Sequence, residues 1–166
     1  MSRVTVDRAT GALRIGGAKV FPLGLSNPPP LGGTAPNGAD GLQEVAAGGA
    51  SFIRTGRGDW GPGRIAEQLA AERAVLDAAA ANGLHCWLYL GELPDLAPRA
   101  AGTQASTREQ LLTRVATTFK DHPGLGAYKG VDEPRNPFRG ANWIRPDGLV
   151  RAARRLRALD PQHPLV

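Results

Sequence analysis

Asp132 and Glu133, side by side and followed by Pro134, are the residues of this sequence best placed to do acid chemistry. They close the stretch Leu125-Gly126-Ala127-Tyr128-Lys129-Gly130-Val131-Asp132-Glu133-Pro134, which reads as a short buried strand. Pro134 has no N–H to give a sheet ladder and biases its predecessor away from right-handed helical angles. Strand pairing is therefore expected to stop here, with Glu133 extended at the rim. In a chain that alternates strands with helices, a carboxylate at the C-terminal end of a strand stands where barrel and open-sheet enzymes build their sites.

The elements that must position this pair come in a repeating order. Residues 4–7 and 12–15 alternate in the strand manner around Ala9-Thr10-Gly11, and Gly16-Gly17 turns the chain again before Ala18-Lys19-Val20-Phe21, a small antiparallel hairpin. Phe21-Pro22-Leu23-Gly24-Leu25 reads as a first core strand, and it opens into a loop, Ser26 to Gly38, too rich in Pro and Gly for regular structure. Asp40 with Gln43 then resembles a capping box for a short helix ending at Gly48-Gly49, followed by the strand Ser51 to Thr55. A second helix puts Ile65, Leu69, Leu76 and Ala80 on one face, interrupted by Glu72, and stops at Asn82-Gly83 before the strand His85 to Leu90. Ser106 and Glu109 box the start of a third, whose stripe is Leu111, Val115 and Phe119 and whose end is His122-Pro123-Gly124. Pro146 suits the first turn of a fourth, which closes at Asp160-Pro161 and delivers Pro164-Leu165-Val166, the opening of a fifth strand.

Four helix-to-strand returns with strands too apolar to alternate predict an α/β fold of parallel units buried on both faces, in an open sheet or around a barrel wall. The leading hairpin favours the barrel, whose N-terminal end it can plug. A whole barrel takes about 250 residues, so these 166 residues make up the N-terminal half of a (β/α)₈ barrel. The expected layout is one partial-barrel domain over 1–166, with the hairpin in 1–21 and βα units one to four plus the start of strand five in 22–166.

Composition narrows the function classes. With 42% hydrophobic and 21% charged residues the chain can build a core and is not disordered. The net charge of +5 comes mostly from arginines, with a concentration at Arg151, Arg154, Arg155 and Arg157 that reads as the solvated side of a helix opposite Leu149, Ala153 and Leu156. No nucleic-acid-binding motif or stacking aromatics accompany that charge, so no nucleic-acid partner is expected. Cys86 is the sole cysteine, which excludes an internal disulfide and a cysteine-cluster metal site. His85, His122 and His163 precede strands, at the end away from the expected site, without metal-ligand spacing, and read as structural or surface residues. No apolar run approaches membrane-spanning length and no signal peptide is visible; the chain reads as soluble, and cytoplasmic if Met1 is the true start. There is no G-x-S-x-G elbow, no phosphate-binding P-loop and no G-x-G-x-x-G after the first strand.

Gly130-Val131-Asp132-Glu133-Pro134 after Ala127-Tyr128 resembles the fourth-strand signature of the large retaining glycoside hydrolase clan with (β/α)₈ barrels, whose members carry Asn-Glu-Pro or Asp-Glu-Pro there. Leu13 to Phe21 looks like the hairpin leading into the first strand of those enzymes, and Phe52-Ile53-Arg54 looks like their second strand, which ends in an arginine facing the site. The resemblance covers nearly the whole chain but only the N-terminal half of the family's barrel. It implies hydrolysis of O-glycosidic bonds, with Glu133 as general acid/base and its pKa raised by burial and a neighbouring carboxylate. It also implies a carbohydrate substrate, and no cofactor or metal. The nucleophile would stand about 5 Å from the acid, and in this clan it ends the seventh strand, which these residues do not reach. The chain is accordingly expected to be a fragment, inactive unless completed.

Within the resemblance, Asp132 and Arg54 are candidate substrate-side residues. Asp132 replaces the commoner asparagine, and an ionised Asp can only accept hydrogen bonds. Arg54 would hold carboxylates ionised and oriented; the plainer reading of Glu133 is a strand-end carboxylate paired with Arg54 or Lys129. Tyr89, Asn27, Trp60 and Trp143 lie in or near strand-end loops, where aromatic rings suit sugar faces, and Glu92 sits just past the third strand. Two alternatives share the fold: a catalytically empty carbohydrate-binding remnant, and a half-barrel that self-associates through its unpaired strand edges.

Overall fold

The computed structural model describes residues 4–100, 102–135 and 144–166. Trp143 lies outside them. Two sheets organise the chain. The first is antiparallel, in the order β1 (Val4–Val6), β2 (Leu13–Ile15), β3 (Ala18–Val20), with Val4 opposite Ile15 and Leu13 opposite Val20. The second is parallel: β4 (Gly24–Leu25), β5 (Phe52–Gly56), β6 (His85–Tyr89) and β7 (Leu125–Lys129), neighbours in chain order.

Four helices make the crossovers: α1 (Gly41–Ala47), α2 (Ile65–Ala81), α3 (Thr107–Phe119) and α4 (Pro146–Leu159). Their starts are set locally. Asp40 accepts a hydrogen bond from Gln43 N at 3.0 Å, Ser106 Oγ accepts one from Glu109 N at 3.2 Å, and Pro146 opens α4. Beyond β7, Leu165 bridges in parallel to Tyr128, with Val166 N donating to Tyr128 O at 2.9 Å and Gly130 N to Val166 O at 2.8 Å. These last residues thus pair in parallel with β7.

A doubly wound sheet reverses its strand order at a switch point, and this one runs straight through. Its two faces also differ. Ile53, Cys86, Leu88, Leu125 and Tyr128 pack into one core with Leu69 and Leu76 of α2, Val115 and Phe119 of α3, and Leu156 of α4. Alternation puts Phe52, Arg54, Trp87, Tyr89 and Lys129 on the other face. Helices on one side of a sequentially ordered sheet match an arc of barrel wall.

Three expectations need correction. The first core strand is shorter than Phe21 to Leu25: only Gly24 and Leu25 pair with β5, and Phe21 is 88% exposed. Pro22 has no N–H to offer, and β4 is the sheet's outermost strand, so nothing on its far side draws Phe21 in. The buried face of α4 is Gly148, Ala152 and Leu156, not Leu149 and Ala153. The arginines opposite are not all solvated: Arg151 donates to Leu96 O at 2.8 and 2.6 Å, and Arg155 to Thr113 Oγ1 at 3.2 and 3.3 Å. Their long stems lie on the neighbouring elements while the guanidinium satisfies groups there. Finally, β7 ends at Lys129, four residues before Glu133, because Asp132 turns back toward Lys129 instead of continuing the ladder.

Candidate functional site

The C-terminal ends of β5, β6 and β7 bring together residues from three separate strands. The register places Arg54 opposite Trp87 and Tyr89 opposite Lys129, all on the face turned from the helices. Asp132 joins them from the turn after β7. Arg54 Nη2 donates to Asp132 Oδ2 at 2.9 Å, and Lys129 Nζ is hydrogen-bonded to Asp132 Oδ1. Both cations lie near the Tyr89 ring, the Arg54 guanidinium 4.3 Å and the Lys129 ammonium 5.6 Å from its centroid. Partial burial works against ionising Asp132, but Lys129 and Arg54 outweigh it and hold the carboxyl below its ordinary range. One carboxylate thus bridges two cations over an aromatic ring.

Glu133 follows directly and is exposed. Its backbone is not extended as expected: φ is +44°, the left-handed region, and it is the sole non-glycine residue with positive φ among the described residues. Pro134 closes the right-handed helical region to its predecessor, yet the chain must reverse here because Asp132 is folded back on Lys129 and Ile144 N donates to Pro134 O at 2.9 Å. The left-handed region is the compact conformation that remains. A non-glycine residue held there stores about 1–2 kcal/mol, and such strain gathers at functional positions. The burial that the acid role calls for is not present at Glu133 in this chain.

The other candidates divide. Asn27 is exposed, two residues past β4 on the same end of the sheet. Glu92 lies within 3.9 Å of Arg108, in the turn after β6. Trp60 is 7% exposed, and its indole N–H donates to Tyr89 O at 3.1 Å, so its ring belongs to the core and its polar edge fixes the end of β6. The sequence offers Lys129 only as an ion-pair partner for Glu133, although its inward parity with Tyr89 and its place three residues before Asp132 mark it as a site residue.

Of the histidines, His122 and His163 make hydrogen bonds to Asp77 at 3.1 Å and to Asp160 at 2.7 Å, and His85 is buried by Phe52 at the opposite end of β6. A cavity of about 700 Å³ lies at that far end, beside Tyr128, Asp160 and His163. Its polar groups are engaged with one another: Tyr128 Oη donates to Asp160 Oδ2 at 2.9 Å, and Asp160 also accepts from Gln162 N and His163 N. Among the described residues no group of His, Cys, Asp and Glu could hold a metal ion, and no helix is long and apolar enough to cross a membrane.

No family model matches the chain, and no curated protein matches it in sequence. Solved structures do match in shape. The structure of a β-mannanase from the blue mussel Mytilus edulis superposes on 99% of this chain with a TM-score of 0.62 at 15% identity, and the chain spans 62% of that protein's length. A glycoside hydrolase family 5 structure from Bacteroides vulgatus superposes on 98% with a TM-score of 0.51 at 13% identity, and there the chain spans 39%. At such identities the likeness shows the fold: an α/β chain with a four-stranded parallel sheet, built like part of a glycoside hydrolase.

Proposed function

We propose that the chain is the N-terminal half of a (β/α)₈ barrel that hydrolyses O-glycosidic bonds by the retaining two-carboxylate mechanism, with Glu133 as acid/base. The nucleophile stands on a strand beyond these 166 residues. One observation carries the reading: Arg54, Tyr89, Lys129 and Asp132 converge at the C-terminal ends of three parallel strands, with Glu133 next to them. That end of the wall is where barrel enzymes place their chemistry. Tyr89 offers a ring face to a sugar, and the Arg54 and Lys129 cations orient its hydroxyls. Asp132, ionised and accepting, selects hydroxyl donors. Closing the barrel over Glu133 would bury it, the setting in which a carboxyl can serve as acid to a leaving oxygen.

The test has two arms. In an NMR titration of the chain with β-linked mannose and glucose oligosaccharides, amide shifts are expected to cluster at Arg54, Tyr89, Lys129 and Asp132; shifts elsewhere, or none with either series, count against the site. In the second arm, aryl glycosides are expected to remain intact with the chain alone. Hydrolysis that Glu133→Gln abolishes would place both carboxylates inside these residues and refute the assignment of the nucleophile.

A second reading rests on a separate observation. Phe21 is 88%, Leu23 47% and Val166 71% exposed, and they stand at the two edges of the parallel sheet. Exposed apolar residues beside unpaired strands favour self-association, so light scattering is expected to find species larger than a monomer.

A further inference from the structure

Two polar side chains on the packed face of α2 are buried without taking part in the helix. Gln68 is 2% and Glu72 5% exposed, one turn apart and in line with Ile65, Leu69 and Leu76. Both reach out of the helix, Glu72 to the last residue of β5 and Gln68 to the segment that follows it. Gln68 Nε2 donates to Asp59 O at 2.9 Å while its Oε1 accepts from Gly61 N at 3.0 Å, and Glu72 Oε1 accepts from Gly56 N at 2.9 Å. That segment in turn grips the end of β6: Arg57 N and Trp60 Nε1 each donate to Tyr89 O at 3.1 Å, and Gly56 lies directly against the Tyr89 backbone.

Leucine at 68 and 72 would continue the apolar stripe and bury nothing polar. An amide and a carboxylate are costly there unless satisfied, and the partners named above are backbone groups at the end of β5 and in the segment after it. Burial, the largest influence on Glu72, pushes its carboxyl up from the ordinary value, against the Gly56 amide and the charge of Arg57.

We propose that Gln68 and Glu72 are positioning residues for the rim: they hold segment 56–61 against the end of β6 and so set the Tyr89 ring beneath Arg54. The inference rests on the reading of Tyr89 and Arg54 as the sugar-facing pair, but its test does not need a sugar.

Gln68→Leu, Glu72→Leu and Glu72→Gln are compared with the parent chain by NMR. Amide hydrogen exchange is read at Gly56 and Gly61, and the upfield ring-current shift that Tyr89 imposes is read at the Arg54 side-chain protons. Glu72→Leu is expected to speed exchange at Gly56, and Gln68→Leu at Gly61, each by about tenfold, the equivalent of one hydrogen bond. Both are expected to shrink the Arg54 shift. Glu72→Gln, whose amide oxygen still accepts from Gly56, restores exchange and shift together.

An Arg54 shift unchanged in both leucine variants overturns the proposal, because the contacts would then serve packing alone. Should a leucine variant not fold, Trp60→Phe, which removes the indole N–H on Tyr89 O together with part of the buried ring, must also reduce the Arg54 shift; an unchanged shift refutes the chain of contacts. Failure to bind any saccharide sinks the proposed function and leaves these readouts as they are.

Discussion

Gly56→Ala tests the geometry of the rim with one methyl group. Gly56 has φ +83°, and a Cβ added there would stand 2.3 Å from Tyr89 O and 2.5 Å from Tyr89 N. An alanine held in the left-handed region costs about 1–2 kcal/mol. Overpacking against a fixed neighbour costs about 1–3 kcal/mol more, and this neighbour is fixed, because Tyr89 O already accepts from Arg57 N and Trp60 Nε1. The sum is about 2–5 kcal/mol, a large part of the 5–15 kcal/mol or so that holds a domain of ordinary stability. At roughly 2–4 °C per kcal/mol for a chain of this size, the expected fall in Tm is between about 4 and 20 °C.

Gly17→Ala separates the two contributions. It shares a positive φ, +88°, but its added Cβ meets nothing within 4 Å, so it should lose only the conformational part, about 1–2 kcal/mol. Both variants are measured by urea unfolding followed by circular dichroism. Equal losses in the two would show that no clash exists at Tyr89 and would refute the close approach of β5 and β6 from which the site is built.

Two further expectations concern single side chains. Asp132→Asn should destabilise the chain by about 0.5–2 kcal/mol near neutral pH, since two partly exposed pairs contribute a few tenths to one kcal/mol each. Lys129 and Arg54 hold the folded carboxyl below its unfolded value, so this contribution is present above about pH 4 and disappears as pH falls through the lower folded value. The two stability curves should therefore meet in acid, and a gap that persists at pH 2 contradicts the pairing. Cys86 is fully buried; burial first, and the Glu72 carboxylate second, push its thiol up to about 12. Iodoacetamide at pH 8 should label it at least roughly a hundredfold more slowly in the native chain than in urea, and comparable rates would place the thiol outside the core.

What the sequence determined by itself was whatever depends on neighbours along the chain. Ser106 caps α3 and Asp40 caps α1 through atoms three residues away. Gly49 and Gly83 supply left-handed turns just past α1 and α2, and Pro146 opens α4. The apolar runs named β5 and β6 within a residue or two and the start of β7, and their alternation with helices named an α/β chain. That Asp132, Glu133 and Arg54 fall at the strand ends was also legible, since position along a strand is a local property.

What only the tertiary structure decided was partnership across space. Arg54 could have met Glu133 or Asp132, and a separation of 78 positions along the chain carries no sign of which; the register of three parallel strands puts Asp132 within reach. Glu72 interrupts an apolar stripe in the sequence, and only the folded chain reveals the amide of Gly56 that makes a carboxylate tolerable there. Arg151 and Arg155 look solvated until Leu96 O and Thr113 come into contact with them. Pro134 ruled out a right-handed helical Glu133, but it took the return of Asp132 to Lys129 to choose the left-handed conformation over the extended one. Caps, turns and periodicity act over one or two helical turns of chain. An ion pair or a buried hydrogen bond acts through a few ångströms of space, and folding alone sets which residues those ångströms separate.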